Sequence, residues 1–468
     1  MAAGKCEYFN RGNLSLLLRP LDLESLSEDA LRMLPPVKSA LTSPPDHAGL
    51  IDGCLFLSKL LPLFAIIHSV AWGSALEWPQ FRGPTGEGAS DAKNVPVRWD
   101  EKQNVKWSVE TAGSGWSSPV VSGKRVYVSS AVEDPDGSIS LRVMALDETN
   151  GAKVWNTTVF QPESATAKKM HRKNTAASPT PIVSEGRIYV HFGHLGTAAL
   201  DLDGKVIWRQ EEIRYSPTHG TGGSPVLVGN ALVFSVDGND QTFVVALNAQ
   251  TGAVLWKTPR ETHARKKFSF STPLAISLDG QTQVISPGSG FVAGYHAEDG
   301  REIWRVLYGE GYSVVPRPVY AHGLLFLSSG FDAASLLAIR PQGAAGDSTQ
   351  SHVAWTIKKG APHTPSALVA GDELYFVSDA GIASCVDAKT GDTHWSERLG
   401  GNFSASPVLA EGRIYFLNET GTMYVVKASK TFEIISENSI GDKTLASPAV
   451  LDGAVFIRSE MRLWKIGS

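Results

Sequence analysis

Short apolar runs broken by glycine-containing turns recur from residue 118 to the end of the chain. Each run opens on Ser or Thr followed by Pro, as at Ser118-Pro119, Thr180-Pro181, Ser224-Pro225, Ser406-Pro407 and Ser447-Pro448, with weaker versions at Thr272-Pro273, Arg317-Pro318 and Thr364-Pro365. Proline lacks an amide donor and is tolerated at the first residue of a strand. A glycine turn comes next, and then a second segment such as Arg187 to His191 that reads as a strand with one face drier than the other. A third segment ends at Asp, Asn-Gly or Thr-Gly, residues that supply the backbone of a tight hairpin. The fourth carries a tryptophan. Four antiparallel strands per unit, repeated radially, predict the blades of a β-propeller and an all-β fold class.

The period of the pattern is 40–53 residues from one Trp to the next, the range of propeller and solenoid arrays. In Ala145–Trp155, Leu200–Trp208, Ala246–Trp256, Tyr295–Trp304 and Val386–Trp395, a glycine precedes the Trp by four positions. A Trp fixed in each blade buries on the order of 200 Å² and wedges adjacent sheets together. A ring of Trp residues stacking on one planar ligand is the alternative, but a single ligand cannot touch one Trp from every blade. The structural set expected is Trp107, Trp155, Trp208, Trp256, Trp304, Trp355, Trp395 and Trp464.

The starting prolines, from Pro119 to Pro448, give eight blades. The last has room for only three strands, and Asn104–Glu110 reads as the missing fourth. Pairing the two would close the ring, leave no open radial edge and set Trp107 beside Trp464 in the eighth blade. Two copies depart from the pattern. In the fifth, Gly343 and Gly346 stand at other distances from Trp355; in the seventh, Thr431 and Ile435 occupy the Gly and Trp positions.

The first 75 residues obey no such rule. Residues 1–54 read as an irregular extension, and a true start at Met33 would suit the apolar segment downstream. Residues 55–75, with Lys59, an apolar stretch and a small-residue end at Gly73 and Ala75, read as a signal peptide, with an uncleaved anchor as the alternative. Pro62 and His68 interrupt the stretch, which is short for a membrane span. Residues 76–468 then form the propeller, and an exported, periplasmic or cell-envelope location is expected.

Composition narrows the function. The net charge is −4, so no overall basic field attracts nucleic acid. The 3 cysteines, Cys6, Cys54 and Cys385, have neither the number for a disulfide framework nor the spacing of a zinc site. Cys385 lies in an apolar strand and reads as core.

Binding residues in a propeller gather in the loops that lead into the inner strands. Those loops carry Trp116, His171, Arg172, Lys173, Asn174, Thr218, His219, His263, Arg265, Lys266, Lys267, Tyr312, Arg317, His363, Asn402 and Lys443. Two of them are strongly basic, Lys168–Lys173 and Arg265–Lys267. Bent inward, they would hold a carboxylate, a phosphate or an acidic partner segment; otherwise they are solvated loops. The four histidines, at unequal offsets and without carboxylates nearby, do not read as metal ligands. No Gly-x-Ser-x-Gly elbow is present, and Asp237–Asp240 reads as a hairpin turn rather than a calcium loop.

The repeats resemble those of pyrroloquinoline-quinone-type propellers. That family's docking motif, Ala-x-Asp-x-x-Thr-Gly-x-x-x-Trp, matches Ala246–Trp256 with Asn248 for Asp, and matches residues 387–395 from the Asp onward. Trp78–Pro84 and Val95–Trp107 resemble the opening of many secreted bacterial proteins with this repeat. The family divides into quinone-dependent alcohol or sugar dehydrogenases and non-catalytic scaffolds such as the outer-membrane assembly protein BamB. The dehydrogenases hold the quinone beneath a disulfide of adjacent cysteines, over a Ca²⁺ with Glu, Asn and Asp. This chain has no adjacent cysteines and no such set that can be matched residue by residue. The resemblance therefore implies a non-catalytic, monomeric scaffold with no cofactor, peripherally associated with the envelope and binding another protein or a saccharide. The alternative is a dehydrogenase using pyrroloquinoline quinone with Ca²⁺ at a divergent site. A hydrolase or lyase using the mouth histidines is a third reading.

Overall fold

The computed structural model describes residues 77–332 and 334–467. The expected signal segment, the extension before it, Cys6 and Cys54 lie outside the described residues.

Eight antiparallel sheets succeed one another along the chain. The first blade comprises Val120–Ser122, Arg125–Glu133, Ile139–Asp147 and Lys153–Phe160; the second Ile182–Ser184, Arg187–His191, Thr197–Asp201 and Val206–Gln210. The third comprises Val226–Val228, Ala231–Asp237, Thr242–Asn248 and Val254–Pro259; the fourth Leu274–Leu278, Gln281–Pro287, Phe291–His296 and Glu302–Leu307. The fifth comprises Val319–Ala321, Leu324–Ser328, Leu336–Ile339 and Val353–Ile357; the sixth Leu368–Ala370, Glu373–Val377, Ile382–Asp387 and Thr393–Arg398. The seventh comprises Val408–Ala410, Arg413–Leu417, Thr422–Lys427 and Ile434–Ser439. The eighth takes Ala449–Leu451, Ala454–Arg458 and Arg462–Gly467 from the C-terminus and Val105–Glu110 from far upstream. The chain thus forms an eight-bladed β-propeller. The short first strands of successive blades lie against one another around the axis.

The ring closes by the strand pairing that the sequence predicts, but Trp107 and Trp464 stand on opposite faces of the eighth blade rather than side by side, because successive strand residues alternate faces. Val105–Glu110 runs antiparallel to Arg462–Gly467, with Ser108 opposite Trp464 and Trp107 opposite Lys465. The Trp107 ring lies 6.0 Å from Phe456 of the same blade. Closure covers the edges that both segments would otherwise present as pairing templates.

The recurrent Trp and Gly act across the gap between blades. The indole N–H groups of Trp107, Trp155, Trp208, Trp256, Trp355 and Trp395 donate to main-chain carbonyls of Glu148, Leu202, Ala249, Ala297, Ala388 and Ser429, each in the turn of the following blade, at 2.9–3.1 Å. The glycine of that following turn is the seat. At Gly300 (φ +72°) a Cβ would stand 2.3 Å from Trp256, and at Gly252 (φ +76°) 2.6 Å from Trp208. Only glycine combines that left-handed backbone with so close an approach.

The two irregular copies have local explanations. In the fifth, the link between the third and fourth strands is lengthened. Its Gly346–Asp347 reaches back to pair in parallel with Trp304–Arg305 of the fourth blade, making that sheet five-stranded. In the seventh, Phe432 packs 5.0 Å from Trp395 in the missing glycine's neighbourhood.

The segment before the ring crosses the end of the channel where the inner strands finish. Trp78 exchanges backbone hydrogen bonds with Val121 of the first blade, and Pro79 O accepts from Val183 of the second. Phe81 O accepts from Arg317 of the fifth at 2.8 Å, and Arg82 donates to Ala367 O of the sixth at 2.6 Å. Ala89–Ser90 adds a parallel strand to the inner edge of the seventh, and Lys93 N donates to Asp452 of the eighth. Trp78 is fully buried, wedged over Gly83.

Candidate functional site

At the other end the loops leading into the inner strands surround a cavity of about 620 Å³. Its innermost wall is made by the hydroxyls that precede the strand-starting prolines. Ser118 N donates to Thr180 Oγ1, Thr180 N to Ser224 Oγ and Ser224 N to Thr272 Oγ1, at 2.9–3.0 Å. Arg317 N donates to Ser366 Oγ, Ser366 N to Ser406 Oγ and Ser406 N to Ser447 Oγ, again at 2.9–3.0 Å. Six of the eight blade junctions are latched in this way at the axis, which explains why Ser or Thr recurs there. All seven hydroxyl residues line the cavity, and Phe81 of the crossing segment lies at its base.

The fifth blade breaks the latch. Arg317 stands where the others have Ser or Thr, and its side chain turns away to Pro273 O and Phe81 O. It is buried and does not line the cavity. The reading of Arg317 as a mouth residue gives way to a role tying the crossing segment to the ring. Burial, only partly offset by Glu87, lowers its guanidinium pKa to about 10.

Of the other sequence candidates, Trp116, His171, Arg172, Lys173, Asn174, His219, Tyr312 and His363 line this cavity. Asn402 and Lys443 line an adjoining polar recess with Arg172, Lys173 and Glu419. The second basic loop does not enter: His263, Arg265, Lys266 and Lys267 are absent from the wall. Arg265 pairs outward with Glu310, and Lys266 reaches the Tyr312 hydroxyl at 2.6 Å and lies over its ring.

The wall is asymmetric. From the second to the sixth blade rings touch in series: His171 and His219 at 5.2 Å, His219 and Phe268 at 5.1 Å, Phe268 and Tyr312 at 5.3 Å, Phe331 and His363 at 4.7 Å. Phe268, Phe270 and Phe331 were not singled out in the sequence, because a Phe beside a basic run carries no mark of its direction. The opposite wall is polar. Lys173 Nζ bonds Glu419 at 2.6 Å and Ser404 at 3.1 Å, bridging the second and seventh blades across the mouth. Asp379 accepts from His363 N, Thr364 N and the Thr364 hydroxyl, so both oxygens are engaged in holding that loop. His171 is held below the usual imidazole range by burial, then by His219, Arg172 and Lys173.

A group that the quinone-type resemblance implies does not fit here. Among the described residues no three His, Cys, Asp or Glu side chains converge as a metal-binding set. Asp379, the carboxylate in the wall, is engaged with its own loop, and no adjacent cysteines exist to cover a quinone.

The closed ring of eight blades, six of them latched to the next by an indole, with a one-ended axial cavity, defines a propeller of the pyrroloquinoline-quinone repeat class. A family model described as outer membrane protein assembly factor BamB matches residues 89–236, 141–397 and 338–433, and the chain belongs to that family. An outer membrane protein assembly factor BamB from Burkholderia pseudomallei is 28% identical over 324 residues, covering 65% of this chain and 73% of that protein. A tetrathionate hydrolase from Acidithiobacillus ferrooxidans is 24% identical over 331 residues, covering 59% of this chain and 62% of that one. Among solved structures, BamB from Moraxella catarrhalis superposes with a TM-score of 0.56 at 13% identity, covering 77% of this chain and 96% of the other. A europium-containing methanol dehydrogenase superposes at 0.63 with 11% identity, covering 88% and 100%. At such identities the superpositions establish the fold alone, which hosts unrelated functions.

Proposed function

We propose that the protein is a non-catalytic scaffold, exported from the cytoplasm, that holds a partner protein at the mouth of its channel. The observation that carries this reading is the convergence of the inner-strand loops on one cavity whose far end is closed by the crossing segment. A concave, part-aromatic and part-polar chamber is a binding place. Its carboxylates are committed elsewhere, Asp379 to the backbone and hydroxyl of its own loop and Glu419 to Lys173, without the pairing of base and nucleophile that turnover needs. Family membership supports a protein partner and a location in the envelope; a saccharide is the alternative occupant. Among the described residues no helix is long and apolar enough to cross a membrane.

A photo-crosslinking residue placed at Phe331, on the rim, is expected to capture a partner in envelope preparations, whereas one at Lys124, in a turn of the first blade away from the cavity wall, is not. Equal capture at both sites would sink the reading. Addition of pyrroloquinoline quinone with Ca²⁺ is expected to give neither a bound-cofactor spectrum nor dye reduction; both together would establish the dehydrogenase alternative.

A further inference from the structure

The innermost wall of the cavity holds hydroxyl protons that no hydrogen bond among the described residues uses. Thr180, Ser224, Thr272 and Ser447 each accept a backbone N–H from the preceding blade. Each is more than nine-tenths buried and lines the cavity. A hydroxyl has one proton to donate besides its lone pairs. None of these four hydroxyls donates a hydrogen bond among the described residues, so each has a proton free for a group in the chamber that it lines. Buried donors require a partner.

Two further features share the chamber. Arg172 lines both the cavity and the adjoining recess, is exposed, and has no ion pair among the described residues. Its neighbour Lys173 is by contrast neutralised by Glu419. Phe331, 41% exposed, is the exposed large aromatic of the described residues, and it closes the series of rings running from Phe268 through Tyr312. An exposed phenyl at the lip of a cavity is a contact site awaiting a second apolar surface.

We propose that the chamber takes a carboxylate that bears an aryl group. The carboxylate is pure acceptor and meets the hydroxyl donors; Arg172 supplies the compensating charge; the aryl ring lies against Phe268, Tyr312 and Phe331 in the offset or edge contacts that rings prefer. This inference rests on the mouth being the binding place. Such a group has two sources, a free aromatic acid or the terminal residue of a peptide.

Titration calorimetry of the purified protein with phenylacetate, N-acetyl-phenylalanine, N-acetyl-phenylalanine amide and acetate tests it. Both aryl acids are expected to bind, and the amide at least about tenfold more weakly than its acid, the loss expected for hydrogen bonds to a charged group. Acetate, without the ring, is also expected to be weaker. Tighter binding of phenylacetate points to the free acid, and tighter binding of N-acetyl-phenylalanine to a peptide terminus. Thr272→Val removes one donor but also the acceptor of Ser224 N. Arg172→Gln and Phe331→Ala, both at exposed positions, therefore carry the same test, each expected to weaken the acids severalfold. An amide that binds as well as its acid, or no binding by either acid at millimolar concentration, would overturn the proposal. If crosslinking at Phe331 still captures a partner in that case, the scaffold reading stands and only the ligand class falls.

Discussion

The indole N–H of Trp304 donates to the side-chain oxygen of Gln283, across its own blade, at 2.9 Å. Six other indoles reach the following blade instead. Trp304 faces the lengthened fifth repeat, which presents no seat glycine, and it is fully buried against Gly294, where a Cβ would stand 2.4 Å away. Gln283 is therefore the acceptor that the turn of the next blade does not supply. Gln283→Ala leaves a buried donor unmet and is expected to cost about 1–3 kcal/mol, read as a lower denaturation midpoint. A midpoint unchanged from wild type would show that Trp304 finds another partner.

Glycines of this chain differ in what they bear. A Cβ added at Gly123 (φ +56°) would have nothing within 4 Å, whereas at Gly300 the same atom meets the Trp256 ring at 2.3 Å. Alanine at Gly123 is expected to cost about 1 kcal/mol from backbone strain alone, and at Gly300 at least about twice that, because the indole must move as well. Equal losses in urea unfolding would contradict the seat.

Two histidines of the second blade make stability depend on acidity. His191, beside Phe234 and bonded to Thr197 Oγ1 at 2.8 Å, is pushed down to about 3 by burial and then by His194. His194 is pushed down to about 4 by burial and then by Arg214. Both are neutral in the fold, while the unfolded chain protonates them near pH 6.5. The unfolded state therefore binds more protons below that pH. Stability falls as the pH drops from about 6.5, by about 1.4 kcal/mol per unit for each histidine, and levels off only as the folded values are reached. His191→Phe is expected to flatten the slope of unfolding free energy between pH 6 and about pH 4; an unchanged slope would remove His191 as its cause.

The crossing segment depends on Arg82. Its Nη2 bonds Ala367 O and Glu87 O, both at 2.6 Å, and burial, followed by repulsion from Arg317, lowers its pKa to about 9. Arg82→Ala is expected to speed tryptic cleavage after Lys93, which lies on the segment's exposed side, by at least about tenfold through local opening. The Arg98→Ala variant, at an exposed side chain, serves as the comparison. If both cleave alike, Arg82 does not anchor the segment.

Blades, latching indoles and ring closure were legible because each leaves a periodic trace: Gly four before Trp, Ser or Thr before Pro, and a C-terminal unit one strand short. The chamber was legible only in part. Sequence marks which loops lead into the inner strands, but whether a side chain turns inward depends on partners from other blades. Lys173 is drawn across by Glu419 of the seventh blade, whereas Arg265 is drawn outward by Glu310. Arg317 looked like its neighbours at the mouth and is buried, because a segment more than two hundred residues upstream offers it a carbonyl. Trp78–Pro84 read as a signature of the family; that this stretch and the residues after it bar one end of the channel comes from contacts with six blades, which no local pattern encodes.

That bar changes the mechanics of the whole ring. In an array where each unit touches only its neighbours, failure spreads stepwise from the weakest joint. Here one strip of chain is bolted to the first, second, fifth, sixth, seventh and eighth blades at once, like a strut across a wheel. Blades on opposite sides share a load that the rim alone would not transmit, so loss of any one anchor is felt at the far side of the circle.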